Sequence, residues 1–217
     1  MRPIANDQPG SLCGQLRTLV SVVCLGLLTA LIALGVAIPG DAELVRLTIS
    51  TRSGALTGAI WLLTFVSSSV PALLITLAVS AVELWRARRF QPGAVWASVA
   101  YLGNVACNIA LRIAIGRQRP PVEYIPHLLP EVQAGFQSFS YPSGHAGAAL
   151  LAFSALVVLA WPYATWRRLA LAIALLVVAG TGFGRVYLGV HWPTDVLGGY
   201  LLAGCWLGIG VYLRKRF

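Results

Sequence analysis

The stretch LVSVVCLGLLTALIALGVAI, residues 19–38, carries no charge over twenty consecutive positions. An α-helix rises about 1.5 Å per residue, so such a run spans the roughly 30 Å of a bilayer's hydrocarbon core. It also exceeds the ~7–15 apolar residues of a secretory leader. Arg2 and Arg17 would suit the basic region of such a leader, but the length of the run makes it read as a permanent anchor. Working outward, the first span covers Leu16–Ile38. Further apolar runs follow at Leu56–Leu84, Ala94–Ile115, Ala146–Trp161, Leu169–Leu188 and Val196–Leu213. The chain has 217 residues, of which 58% are hydrophobic and 11% charged. Six spans and short connections use nearly all of it. The predicted fold is all-α, a polytopic membrane protein built as a six-transmembrane-helix bundle, with one membrane-embedded domain over residues 1–217.

The net charge of +9 does not point to nucleic acid, because of where it sits. If the N-terminus is cytoplasmic and the spans alternate, the inner side holds Arg2, Arg17, Arg86, Arg88, Arg89, Arg167, Arg168, Arg214, Lys215 and Arg216 against Asp7 and Glu83, a net +8. The outer side holds Arg46, Arg52, Arg112, Arg117, Arg119 and Arg185 against Asp41, Glu43, Glu123, Glu131 and Asp195, a net +1. That asymmetry is the positive-inside pattern, with both termini cytoplasmic. Cys13, Cys24, Cys107 and Cys205 have no metal-ligand spacing and read as small apolar residues.

The outer connections hold all three histidines and five of the seven acids. Pro39 to Ala55 reads as a short, mildly charged link. Residues 116–144 form the longest connection, a proline- and aromatic-rich cap at the membrane surface that contains His127, read as a surface residue. Pro71, in the SSSVP of the second span, marks a candidate kink.

Three short patterns carry chemistry. In the first, Asn104, Asn108 and Arg112 are spaced by four, and Arg119 follows Arg112 by seven. They form a polar stripe on one face of the third span. Such a stripe faces a bundle interior more readily than lipid, although either arginine alone is as compatible with snorkelling to headgroups. In the second, PSGH at Pro142–His145, Ser143 suits the cap of the fourth span. Gly144 permits close approach to the backbone, and the helix's first amides make an anion site. In the third, RVYLGVHWPTD, Arg185 is followed by His191 and Asp195, with Thr194 suited to capping the sixth span. A carboxylate beside an imidazole orients one ring nitrogen and frees the other. Taken alone, the second pattern is also compatible with a plain helix cap, and the third with a surface ion pair.

Joined, these three patterns strongly resemble the phosphatidic acid phosphatase type 2 family, the lipid-phosphatase and haloperoxidase superfamily. That family's pattern is Lys-x6-Arg-Pro, then Pro-Ser-Gly-His, then Ser-Arg-x5-His-x3-Asp. Here it reads Arg112-x6-Arg119-Pro120, Pro142-Ser143-Gly144-His145 and Gly184-Arg185-x5-His191-x3-Asp195, all between Asn104 and Gly199. Two positions depart from it: Arg112 replaces lysine and Gly184 replaces serine. The resemblance implies that His191 attacks phosphorus, that Asp195 orients it, and that His145 serves as general acid and then base. Arg112, Arg119, Arg185, Ser143 and Gly144 would bind the phosphate. It implies no cofactor, and no carboxylate cluster that could carry magnesium is evident. The implied partner is a membrane lipid phosphate presented from the bilayer at the extracytoplasmic face of a bacterial inner membrane: phosphatidylglycerophosphate, phosphatidic acid, an undecaprenyl pyrophosphate carrier or lipid A. Transfer of the phosphate to another lipid or sugar stays open beside hydrolysis. A transporter with an anion site stays open too, although binding alone needs no pair of histidines. Gly204 and Gly208 read as packing positions within the chain.

Overall fold

In a computed structural model, residues 12–88, 90–121 and 139–216 are described. The greater part of the 116–144 cap, including His127, lies outside them. The described residues are helical and contain no strand. The helices are α1 (Leu12–Ala33), α2 (Asp41–Ser50), α3 (Gly54–Val66), α4 (Ser69–Ala87), α5 (Trp96–Ile115, entered through a 3-10 turn at Pro92–Val95), α6 (Gly144–Ala160), α7 (Ala164–Tyr187) and α8 (Pro193–Arg216).

Five helical segments are long and apolar enough to cross a membrane: Gln15–Ala33, Ser69–Ala87, Pro92–Ile115, Ala164–Tyr187 and Pro193–Arg214. α3 and α6 are shorter apolar helices of 13 and 17 residues. Leu19, Leu27, Leu62, Phe65, Leu74 and Leu175 are each more than half exposed. An apolar surface of that extent is stable against lipid rather than water. The chain is a multi-pass membrane protein.

The structure corrects the sequence reading in two places. The run Leu56–Leu84 is two helices, broken at Ser67–Ser68 rather than at Pro71. Ser67 returns its hydroxyl to the carbonyls of Leu63 and Thr64, at 3.0 and 3.2 Å, and accepts one from Thr181 at 2.9 Å. Serine side chains that serve the backbone in this way offer it an alternative to continued helix. Pro71 falls in the first turn of α4, where an amide would have had no intrahelical partner. The link Pro39–Ala55 also contains a helix, α2. Its Val45 is fully buried against Ala146, Val186 and Val196, so α2 lies across the adjoining ends of α6, α7 and α8.

Glycines set how closely the helices approach. Gly147 of α6 faces the Gly199 carbonyl and the Asn104 amide, each 3.1 Å from where a Cβ would stand. A Cβ on Gly199 would overlap the Ser143 carbonyl oxygen, and one on Gly198 would overlap the Tyr141 ring. The segment before α6 therefore lies directly on α8. Gly204 and Gly208 receive Ser21 and Thr18 of α1, so they serve packing within the chain. At the opposite end, Arg214 pairs with Glu83 at 3.0 Å, and Trp96 Nε1 donates to Glu83 at 3.2 Å.

Gly199→Ala tests the crossing. Alanine is the better helix former by about 1 kcal/mol, but here it meets backbone that cannot rotate away. The expected result is a net loss of about 1–3 kcal/mol, read as a lower thermal midpoint in detergent. An unchanged or raised midpoint would show that α6 and α8 do not approach this closely.

Candidate functional site

The three sequence patterns converge at one end of the bundle. α5 brings up Arg112 on its last turn, and the following residues carry Arg117 and Arg119. α6 begins there with Gly144 and His145. α7 ends there with Arg185. The tight turn Leu188–Trp192, which uses Gly189 at a positive φ of 73°, delivers His191 to the start of α8. The Ser143 amide donates to the Asp195 carbonyl at 2.9 Å, tying the starts of α6 and α8 together.

Asn104 and Asn108 are buried, so the stripe on α5 faces the bundle interior. Asn108 Nδ2 and Arg112 Nε both donate to the Pro142 carbonyl, at 3.2 and 3.3 Å. Arg112 Nη2 lies 3.6 Å from where a Gly144 Cβ would stand, which places the guanidinium against the first amides of α6. Ser143 precedes α6 as its cap residue, but its hydroxyl caps nothing. Ser143 Oγ and Arg185 Nε are buried atoms without a hydrogen-bond partner among the described residues. Buried polar atoms of this kind are normally satisfied, and these two belong to different helices at one site.

His191 and Asp195 are 1% and 0% exposed, so bulk water does not reach either ring or carboxylate. His191 Nδ1 stands 3.4 Å from Asp195 Oδ2, a long contact, with the Ser140 carbonyl beside it as a second acceptor. Arg119 Nη1 donates to the Val190 carbonyl at 2.6 Å and lies 3.5 Å from His191 Nε2. Burial first, then the charges of Arg185, Arg119 and Arg112, hold the His191 imidazole well below the ordinary histidine range. Arg119 is itself pushed down to about 10, by burial and then by Arg112. His145 is half-buried at the start of α6, within electrostatic reach of His191 and of the same three arginines. Among the described residues, no three His, Cys, Asp or Glu side chains come together in a way that could hold a metal ion.

The structure thus brings together every residue that the sequence singled out for the site. It also shows what one sequence departure means. A Cβ on Gly184 would stand 2.7 Å from Ile60 and 3.4 Å from Thr64, so this position faces α3. A serine there would have to displace Ile60.

Sequence reasoning missed Arg117 and Asp41. Arg117 Nη1 donates to Asp195 Oδ1 at 2.6 Å and to Thr194 Oγ1 at 2.7 Å, while Nη2 reaches Asp41 Oδ2 at 2.6 Å. Asp41 also accepts the Thr194 amide at 3.0 Å and its hydroxyl at 2.6 Å. Thr194 therefore does not cap α8 through its own side chain. Asp195 Oδ2 instead returns to the Trp192 amide just before the helix, at 2.8 Å. The burial of an acid, Asp41, was the missing signal, and no periodicity announces it.

The chain is 39% identical over 84 residues to phosphatidylglycerophosphatase B of Escherichia coli, a match covering 36% of this chain and 30% of that protein. It is 41% identical over 69 residues to an undecaprenyl-diphosphatase of Sulfolobus acidocaldarius, covering 32% and 30%. Phosphatidylglycerophosphatase B of Bacillus subtilis is 39% identical over 99 residues, covering 44% and 45%. The chain therefore matches less than half the length of each of these relatives. The crystal structure of a transmembrane PAP2-type phosphatidylglycerolphosphate phosphatase from Bacillus subtilis shares the fold, with a TM-score of 0.68 and 24% identity over 88% of this chain and 93% of that one. Residues 93–217, more than half of the sequence and the part that contains all three patterns, match the family described as PAP2 superfamily, and the chain belongs to it.

Proposed function

We propose that this protein is a membrane lipid phosphatase that removes a terminal phosphate from a lipid phosphate or pyrophosphate through a phosphohistidine at His191. The observation that carries the reading is the buried His191 ring, set between the Asp195 carboxylate and Arg119 and surrounded by the charges of Arg112, Arg119 and Arg185. The names of the relatives, a phosphatidylglycerophosphatase and an undecaprenyl-diphosphatase, support that substrate class.

The chemistry follows from the protonation of His191. A ring held neutral keeps its proton on Nδ1, toward Asp195 and the Ser140 carbonyl, and its lone pair on Nε2. Nε2 attacks phosphorus, and the bond to the leaving oxygen breaks as His145, able to hold a second proton once the phosphate's negative charge offsets the arginines around it, gives that oxygen a proton. The phosphorylated imidazole gains positive charge, which Asp195 offsets. Arginine forks match the non-bridging oxygens, and the Ser143 hydroxyl and Gly144 amide add neutral donors at a helix start. Water, deprotonated by His145, then cleaves the P–N bond. Fixed donors of this kind meet the charge spread over three oxygens, so no step calls on a metal.

In the membrane, α3 and α4 together count as one crossing, which gives six with α1, α5, α6, α7 and α8. The basic residues of the Glu83–Arg214 end mark it as cytoplasmic, with both termini there. The site then lies at the extracytoplasmic surface of a bacterial inner membrane, at the depth where a lipid's phosphate sits.

His191→Ala is expected to abolish phosphate release from phosphatidylglycerophosphate and from a polyprenyl pyrophosphate. His145→Ala is expected to cut it by about 10²-fold or more. Acid-labile radiolabel trapped on the wild type and absent from His191→Ala identifies the intermediate, and wild-type rates in either variant refute the mechanism. Activity is expected to survive excess chelator; loss with rescue by magnesium would reverse that part. A third measurement follows from the depressed histidine. His191 is neutral until the pH falls below its lowered pKa, so protonation removes its lone pair only well below 6.5. Ring-nitrogen NMR of the substrate-free protein is therefore expected to find it neutral at pH 6, and a midpoint at or above 6.5 would contradict the cationic surroundings described.

A further inference from the structure

Arg117 and Asp41 stand behind the site rather than in it. Arg117 reaches Asp195, Thr194 and Asp41 through its two terminal nitrogens. Its guanidinium lies 5.7 Å from the Trp192 ring centre, and its side chain is only 18% exposed. The Arg117 carbonyl accepts the amide and hydroxyl of Ser140 at 2.8 and 3.2 Å, which fixes it to the segment leading into Ser143. Asp41 is the first residue of α2, and its two oxygens accept from Arg117, the Thr194 amide and the Thr194 hydroxyl. The pair thus links three parts of the chain: α2, the segment after α5, and the start of α8.

We propose that Arg117 and Asp41 are a positioning pair for the reaction. Arg117 holds Asp195 Oδ1 so that Oδ2 faces His191, and Asp41 shares the Arg117 charge so that Asp195 stays negative toward that ring. The inference rests on the phosphohistidine reading above. The charge count gives its logic: two carboxylates and one guanidinium carry a net negative charge, and Asp195 is the carboxylate that faces the histidine. Without Asp41, Arg117 neutralises Asp195, and the imidazole that becomes cationic on phosphorylation loses its counter-charge. Without Arg117, Oδ1 loses its charged donor at 2.6 Å, and two carboxylates are left without the cation between them. A lysine cannot replace the fork, because one ammonium does not span both carboxylates as two guanidinium nitrogens do.

The test uses the full-length purified protein in mixed micelles, with dioctanoyl phosphatidic acid as probe. Arg117→Lys and Asp41→Asn are each expected to lower kcat by about 10- to 100-fold, the scale at which small misplacements are felt. KM is expected to stay within about threefold, because neither residue touches phosphate. Millimolar guanidinium ion should restore part of the kcat of Arg117→Ala. In a double-mutant cycle, Asp41→Asn combined with Arg117→Lys should fall well short of the product of the two single losses. Wild-type kcat in Arg117→Lys, or a raised KM with unchanged kcat, would overturn the positioning role. So would multiplicative losses in the double variant. If Arg117→Ala does not fold, the lysine and asparagine variants decide the matter. An active wild type with indifferent variants sinks this inference alone. A wild type that releases no phosphate from any lipid phosphate sinks the enzymatic reading, and this inference with it.

Discussion

Three guanidinium groups gathered around one buried imidazole set the conditions for the rest of the molecule. Arg112, Arg119 and Arg185 come from three separate chain segments; burial first, and then their charges, keep His191 from holding a second proton. Like charges brought together out of water repel and lose solvation. Such an arrangement lasts only if the scaffold is stiff and if something anionic relieves it. The scaffold supplies stiffness through close helix contact. Gly147, Gly198 and Gly199 let the Tyr141–Ser143 segment lie on α8, and the Ser143 amide bonds to the Asp195 carbonyl. In the proposed function the substrate is that anion, and it would partner the Ser143 Oγ and Arg185 Nε that the described residues leave without one.

The same burial and charges suit His191 to the nucleophilic role proposed for it. An exposed histidine beside an aspartate is drawn toward its protonated form. Here burial first, and then the charges of the neighbouring arginines, hold the ring neutral, the state that the proposed attack on phosphorus requires. In the proposed mechanism Asp195 matters most after attack, when the ring has become cationic. The carboxylate is prepared for that moment by the Trp192 amide and Arg117, at 2.8 and 2.6 Å, rather than by its long contact to His191 at 3.4 Å.

Much of this could be read along the chain, because the relevant relations are local. Asn104, Asn108 and Arg112 are successive turns of one helix, and His191 and Asp195 flank one turn. Ser143, Gly144 and His145 are consecutive. What the sequence concealed is non-local. Asp41 and Arg117 are 76 residues apart, and their pairing exists only because α2 folds over the ends of α6, α7 and α8. The helical α2 itself was hidden because ten residues with mixed polarity give a weak periodic signal. The break at Ser67–Ser68 was masked by the continuous apolar run on either side. Apolar content records lipid exposure, whereas the break depends on serine hydroxyls turned back onto the backbone.

The two departures from the family pattern have different structural meanings. Gly184 faces α3, where Ile60 occupies the space that a serine would need, so the loss of the hydroxyl goes together with tighter packing of α7 on α3. Arg112 makes a contact that lysine could not combine with the phosphate binding proposed for it. Its Nε holds the Pro142 carbonyl while Nη2 stands at the start of α6 beside Gly144. One planar group therefore fixes the loop that carries Ser143 and presents a charge to the same site. A lysine ammonium, as a single point, would have to choose between the carbonyl and the phosphate. Asn108, one turn back on α5, donates to that same carbonyl, so the loop keeps one of its two holds whichever residue occupies position 112.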